Sequence, residues 1–146
     1  YDVDPRKLQT LEERAELYGA EVKIWKEAPS ERFDVVLVDA PCSGVGVARR
    51  NPEAKYVESS EGYRALQLRI LEDARKIVAD DGYIVYSVCT FIPRETDGVV
   101  EEVESKLGLR AMEIEHELMR NTTKGALTWV PNGDILYVSI LRATSG

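Results

Sequence analysis

The sequence predicts an α/β fold with a mostly parallel, doubly wound sheet, and three observations carry that prediction. β-Rich runs at EVKIW (21–25), FDVVLVD (33–39) and YIVYSVC (83–89) alternate with amphipathic helical stretches. The two strongest runs each lead into a cysteine, Cys42 and Cys89, where a ligand crevice forms beyond the carboxyl ends of strands. Two later strand candidates, LRAMEIE (109–115) and DILYVSIL (134–141), lie close enough to pair with each other and give the sheet an antiparallel end.

Taken in order, Tyr1-Asp2-Val3 reads as the tail of a strand already in progress. Asp4-Pro5 starts a helix, because Asp caps it and proline fits the first turn, where an N–H has no partner anyway. Leu8, Leu11, Ala15 and Tyr18 recur at helical spacing, and Gly19 stops the helix. EVKIW reads as a strand and FDVVLVD as a more fully buried one. The loop APCSGVGVARRNPEAKYV follows, without a period.

Ser59 or Ser60 caps the next helix, whose apolar stripe is Leu66, Ile70, Leu71, Ala74, Ile77 and Val78. Asp81-Gly82 ends it ahead of YIVYSVC. Thr96 caps a last helix with Val99, Val100, Val103 and Leu107 on one side. There is no internal repeat, low-complexity tract or linker.

Composition narrows the function classes. The chain has 146 residues, 44% of them hydrophobic, which suits one domain with a real core. No apolar run approaches the ~20 residues that span a bilayer, and the first residues lack the pattern of a signal peptide. A soluble cytoplasmic protein with no membrane partner is the expectation. The net charge of −7 argues against a nucleic-acid surface, but it is unevenly spread: Arg49 and Arg50 directly follow the first cysteine loop. Two cysteines in α/β-type segments read as free thiols, and a metal site is not expected, since His116 is the only histidine.

In the first loop, Asp39 is a carboxylate placed at a strand end. Pro41 stiffens the turn, Ser43 offers a hydroxyl, and Gly44 and Gly46 allow close backbone approach. A buried, inert cysteine is the ordinary reading of either motif alone. Two such cysteines in equivalent positions shift the balance toward covalent chemistry.

DAPCSGVGVARRNPEAKY, followed by LQLRILEDARKIVADDGYIVYSVCT, resembles the Sun-type (NOL/NOP/Sun) RNA cytosine-5 methyltransferases, and the resemblance runs from Asp2 to about Leu141. It implies a Rossmann-like, S-adenosylmethionine-dependent methyltransferase fold and, as partner, RNA (tRNA or rRNA). By resemblance Cys89 is the attacking nucleophile, Cys42 assists release of the methylated RNA, and Asp39 lies near both cofactor and base. Asp2 matches the acidic residue that holds the ribose hydroxyls. Glu27 stands where the family usually has an aspartate near the adenine; an ordinary solvated loop glutamate is the alternative. Arg49, Arg50 and Pro52 match a basic segment, read either as an RNA-phosphate contact or as solvated surface. Trp129 and Pro131 read as packing before the last strand, His116 as a surface residue, and Tyr56 and Tyr63 as core or rim packing in preference to rings that stack on bases.

The pattern is broken in places. Val88 stands where threonine is usual, PRETDGVV replaces an acidic ENE-like run, and GDILYVSIL departs from a glycine- and phenylalanine-rich ending. The first strand and its glycine-rich, lysine-bearing cofactor loop are missing. Residues 1–146 are therefore expected to form a partial methyltransferase domain, from the end of the second strand to the last strand. A preceding segment or a second chain would complete it. A non-catalytic remnant acting as an RNA-binding or scaffold subunit is the rival reading, and a redox-active dithiol protein a third.

Overall fold

The computed structural model describes residues 1–56 and 61–144, in two units, Tyr1–Glu31 and Arg32–Gly146. The capping serine expected at Ser59 or Ser60 lies outside the described residues. Among the described residues, no helix is long and apolar enough to cross a membrane.

The first unit is built around α1 (Pro5–Tyr18). Asp4 is its N-cap: the side chain accepts the Arg6 N–H at 3.0 Å. Gly19 ends the helix in the left-handed conformation, φ 65°, which a residue without Cβ adopts at no steric cost. Of the helical stripe, Leu8 and Ala15 are buried while Leu11 and Tyr18 are exposed. Neither Tyr1-Asp2-Val3 nor EVKIW forms a strand. A strand exists only where its backbone has a ladder partner, and none pairs with either segment among the described residues. Local ties hold the second segment instead: the Lys23 ammonium sits 3.9 Å over the Trp25 ring and 3.3 Å from Glu31.

The second unit contains β1 (Phe33–Asp39), α2 (Glu61–Ile77), β2 (Val78–Val88), α3 (Asp97–Leu107), β3 (Leu109–Met112), β4 (Met119–Asn121), β5 (Ala126–Thr128) and β6 (Tyr137–Ala143). The sheet order is β1-β2-β6-β5-β4, and β3 also pairs with β6. Only β1 and β2 run parallel; every other described pairing is antiparallel. The sheet is thus mixed rather than mostly parallel. A hydrophobic run looks the same in either direction, so strand polarity is set by the connections. Helix α2 makes the single parallel crossover, and β6 inserts between β2 and β3 antiparallel to both, as the proximity of the last two predicted strands implied.

Helices α2 and α3 pack on one face. Leu71, Ala74, Val99, Val100 and Val103 meet Ile84, Tyr86 and Val88, the alternate residues of β2, with Val38, Tyr137 and Leu141. The Tyr86 and Tyr137 rings meet edge to face, 6.2 Å between centroids. FDVVLVD is therefore not buried on both sides: Val36 and Val38 face this core while Val35 and Leu37 are exposed.

Several local features differ from expectation. Helix α2 ends at Ile77, and Val78 already belongs to β2. Asp81-Gly82 lies within β2, where Asp81 takes φ 62° and the partner register jumps from Phe33↔Val78 to Val35↔Tyr83, so a turn signal here makes a bulge. The buried stripe of α2 begins at Gln67 rather than Leu66, which is exposed. Thr96 occupies the N-cap of α3, but its hydroxyl donates backward to the Ile92 carbonyl at 3.0 Å.

Asp97, the first residue of α3, organises the β4–β5 hairpin that no periodicity announces. Its carboxylate accepts from the Thr122 hydroxyl (2.7 Å), the Thr123 and Lys124 amides (3.1 and 3.2 Å) and the Tyr137 hydroxyl (2.8 Å). Hydrogen bonds to a charged acceptor contribute about 1.5–3 kcal/mol each, and they are not additive. Asp97→Ala is expected to lower stability by about 3–4 kcal/mol and Tyr137→Phe by about 1.5 kcal/mol, read from urea midpoints at constant m. Equal effects of the two substitutions would show that the tyrosine bond alone matters.

Candidate functional site

Parallel pairing places the carboxyl ends of β1 and β2 side by side, with Asp39 opposite Ser87. The ladder continues one step, as the Ala40 N–H donates to the Ser87 carbonyl at 3.1 Å. Beyond it the two cysteine loops converge. The Gly46 N–H donates to the Cys89 carbonyl at 3.0 Å, and the Gly46 carbonyl accepts from the Ile135 N–H at 2.9 Å. Gly46 is required here by contact: a Cβ would stand 2.0 Å from the Ile135 carbonyl oxygen and 2.9 Å from that of Cys89. Gly44, at φ 74°, supplies the left-handed turn after Cys42.

The result is a thiol pair. Cys42 Sγ lies 3.3 Å from Cys89 Sγ, and both residues are half-buried free cysteines. A disulfide needs a sulfur separation near ~2.05 Å, so this is a hydrogen-bonded dithiol. Burial, followed by the hydrogen bond with Cys89, pushes the Cys42 thiol up to about 12. Cys42 thus stays protonated near neutrality, with an S–H available to the Cys89 sulfur.

Beneath the thiols lies a buried polar cluster. Glu95, in the short 3₁₀ turn Pro93–Glu95, is fully buried and accepts the Ser43 N–H at 2.8 Å. Gln67, fully buried on α2, donates to the Pro41 carbonyl at 2.9 Å and reaches Glu95 Oε2 at 3.4 Å. The Ser43 and Thr90 hydroxyls share a 3.0 Å hydrogen bond, joining the residues that come directly after each cysteine. The Tyr86 hydroxyl donates to the Glu95 carbonyl at 2.8 Å. Sequence reasoning misses Gln67 and Glu95. A polar residue at a core position of an amphipathic helix is the available signal for the first. The second stands inside PRETDGVV, where the loss of an acidic run is the more visible feature.

The other expected residues divide. Asp39 is exposed at the strand end beside the thiol loops. Arg49 is exposed; Arg50 is held 2.5 Å from Asp134. Its hydrogen bond with Asp134, reinforced by the charge of that carboxylate, raises the Arg50 pKa. Asp2 and Glu27 belong to the first unit. There the Asp2 carboxylate accepts the Asp4 N–H at 2.8 Å and lies 3.5 Å from the Lys7 ammonium, and Glu27 is exposed in a bend. His116 is exposed, as expected. Two aromatic readings are corrected. Tyr56 is 87% exposed rather than packed, and Trp129 is 58% exposed, its ring 5.9 Å from the Arg120 guanidinium.

Known proteins are similar to this chain in sequence and in fold. The family described as 16S rRNA methyltransferase RsmB/F matches residues 5–142. The chain is 35% identical over 111 residues to a probable ribosomal RNA small subunit methyltransferase B of Bacillus subtilis, covering 68% of this chain and 25% of that protein. Over 73 residues it is 47% identical to ribosomal RNA small subunit methyltransferase B of Thermus thermophilus, covering 48% of this chain and 18% of that protein. The chain thus spans about a quarter or less of the length of these two relatives. Among solved structures, NSun6 from Pyrococcus horikoshii with SFG superimposes with TM-score 0.83 at 22% identity, covering 99% of this chain and 41% of that one. A methyltransferase homologue from the same organism gives 0.73 at 20% identity, covering 97% and 51%. These likenesses show the Rossmann-like methyltransferase fold, in which β1 and β2 form the parallel pair among the described residues.

The raised pKa of Cys42 has a measurable consequence. Near pH 8 it holds the thiolate fraction roughly three orders of magnitude below that of an ordinary cysteine. Greater intrinsic nucleophilicity at high pKa offsets part of this, leaving alkylation about 30- to 100-fold slower. Burial is the larger cause, so Cys42 in a Cys89→Ser variant is expected to stay slow toward iodoacetamide from about pH 6 to 9 and to accelerate only near pH ~11–12. Mass spectrometry of the labelled peptide checks this; a half-maximal rate near pH ~8.5, the ordinary thiol value, would refute it.

Proposed function

The chain belongs to the 16S rRNA methyltransferase RsmB/F family, and from that membership we propose that it carries the catalytic thiols for S-adenosylmethionine-dependent methylation of ring carbon 5 of cytosine in RNA, through a covalent cysteine adduct. The single observation that carries this reading is the Cys42–Cys89 pair, 3.3 Å apart at the carboxyl ends of adjacent parallel strands.

The chemistry requires a nucleophile because carbon 5 of cytosine is itself a poor one. The Cys89 sulfur adds to carbon 6, forming the S–C6 bond and breaking the C5–C6 double bond, so that electron density collects at carbon 5. Asp39, exposed beside the thiol loops, hydrogen-bonds the ring as charge develops. S-adenosylmethionine supplies an electrophilic methyl group on a sulfonium. Transfer of that methyl group to carbon 5 would break its bond to the sulfonium and leave a neutral thioether. A base then removes the carbon 5 proton, and that electron pair restores the double bond and expels the Cys89 sulfur. Elimination places negative charge on that sulfur. Cys42, kept as a thiol by burial, offers its S–H there, which supports its assignment to product release.

The acidic residues suit the cofactor in kind. Ribose hydroxyls need carboxylate acceptors, and the Asp2 side chain is 33% exposed with lone pairs to spare beyond Asp4 and Lys7. Glu27 would take the adenine side. Relatives named for ribosomal RNA favour rRNA over tRNA as substrate. The target base has to leave its stack to meet the half-buried thiols. Arg49 and Arg50 would meet the flanking phosphates, with Arg50 already oriented by Asp134.

The full-length protein is expected to form a denaturant-stable adduct with 5-azacytidine-substituted 16S rRNA. Cys89→Ala should abolish it, while Cys42→Ala should accumulate adduct on unsubstituted RNA and lower turnover at least tenfold. An adduct that survives Cys89→Ala would overturn the nucleophile assignment.

A further inference from the structure

We propose that Glu95, working with Gln67, is a positioning residue that sets the direction of the Cys42 thiol toward Cys89 and thereby governs the release step. The inference rests on the proposed roles of the two cysteines but is argued from geometry that those roles do not use. Cys42 sits on a loop, and a loop thiol is directed only as well as its flanking backbone is held. Both flanks are held from the same cluster. The residue before Cys42 is fixed by Gln67, donating to the Pro41 carbonyl at 2.9 Å. The residue after it is fixed by Glu95, accepting the Ser43 N–H at 2.8 Å. The 3.4 Å contact from Gln67 to Glu95 Oε2 ties the two fixings together.

The same glutamate also reaches the strand that delivers Cys89. Its carbonyl accepts the Tyr86 hydroxyl at 2.8 Å, and Tyr86 lies on β2 shortly before Cys89. Glu95 therefore joins the Cys42 loop, through its side chain, to strand β2, through its main chain.

The energetics point to function rather than packing. Glu95 and Gln67 are each 0% exposed, yet Glu95 Oε1 and Gln67 Oε1 have no hydrogen-bond partner among the described residues. Buried polar atoms without partners are destabilising, and an apolar pair of the same volume would serve the core better. Positions that break the local rule in this way concentrate where a site demands it.

The test uses the full-length protein, 16S rRNA transcript and labelled S-adenosylmethionine. Glu95→Ala is expected to lower steady-state turnover at least tenfold and to accumulate RNA adduct, while single-turnover methyl transfer changes less than threefold. Glu95→Gln, which keeps an acceptor for the Ser43 amide, should restore turnover to within about threefold. Gln67→Leu tests the other flank should Glu95→Ala fail to fold, and is expected to accumulate adduct in the same way. An RNA-free readout accompanies these: the ratio of Cys42 to Cys89 alkylation should shift at least threefold in Glu95→Ala and return in Glu95→Gln. A folded Glu95→Ala protein with wild-type turnover and an unchanged alkylation ratio would overturn the proposal, as would equal slowing of methyl transfer and release. If Cys42→Ala itself accumulates no adduct, the release role of Cys42 fails; the alkylation ratio still decides whether Glu95 directs that thiol.

Discussion

The site depends on one constraint, the parallel ladder that sets Asp39 opposite Ser87. In a parallel pair both chains point the same way, so the loops that leave the two strands emerge at the same edge. A register slip of one residue would send the alternating side chains to the other face of the sheet. It would also carry Cys89 away from Cys42. Register is held by burial on one face: Val38 of β1 and Ile84, Tyr86 and Val88 of β2 lie in the core under α2 and α3. The hydrophobic effect thereby places two sulfur atoms at hydrogen-bond distance without acting on either.

Above the ladder, backbone contact replaces apolar burial. The Gly46 amide and carbonyl connect the first cysteine loop to Cys89 and to Ile135 ahead of β6. A methyl group in place of the Gly46 hydrogen would collide with two carbonyl oxygens. Tight backbone approach leaves the thiols half-buried. That environment is dry enough to keep Cys42 protonated, while Asp39 beside it stays exposed. A fully buried pair would be inert, and a fully exposed pair would differ little from two surface thiols.

The chain belongs to the RsmB/F family, and the chemistry proposed for it asks for two sulfurs of unequal character. The asymmetry is built from surroundings, since the residues are chemically identical. Cys42 stands between Pro41 and Ser43, both pinned from below by Gln67 and Glu95. Cys89 comes directly after β2 and takes its position from the sheet itself. The two thiols thus differ in how they are held: Cys42 within a loop pinned on both sides, Cys89 on the first residue beyond a strand.

The sequence by itself determined the local and periodic features. Asp4 and Gly19 bracket α1, β-branched runs mark β1 and β2, and each of those runs leads to a cysteine. These signals depend on residue chemistry and spacing, which survive without a third dimension. The tertiary structure decided everything that needed a partner. EVKIW is apolar enough for a strand but has no ladder among the described residues, and the polarity of β6 is set by the connections. Asp81-Gly82 became a bulge because Val78 was already paired with Phe33. The β4–β5 hairpin depends on Asp97, which is 25 residues away in sequence from Thr122 at the turn it holds. Gln67 and Glu95 are separated by a helix and a strand, so their meeting beneath Cys42 lies in no motif. Hydrogen bonds between distant residues are set by how layers pack, and a linear pattern carries no record of them.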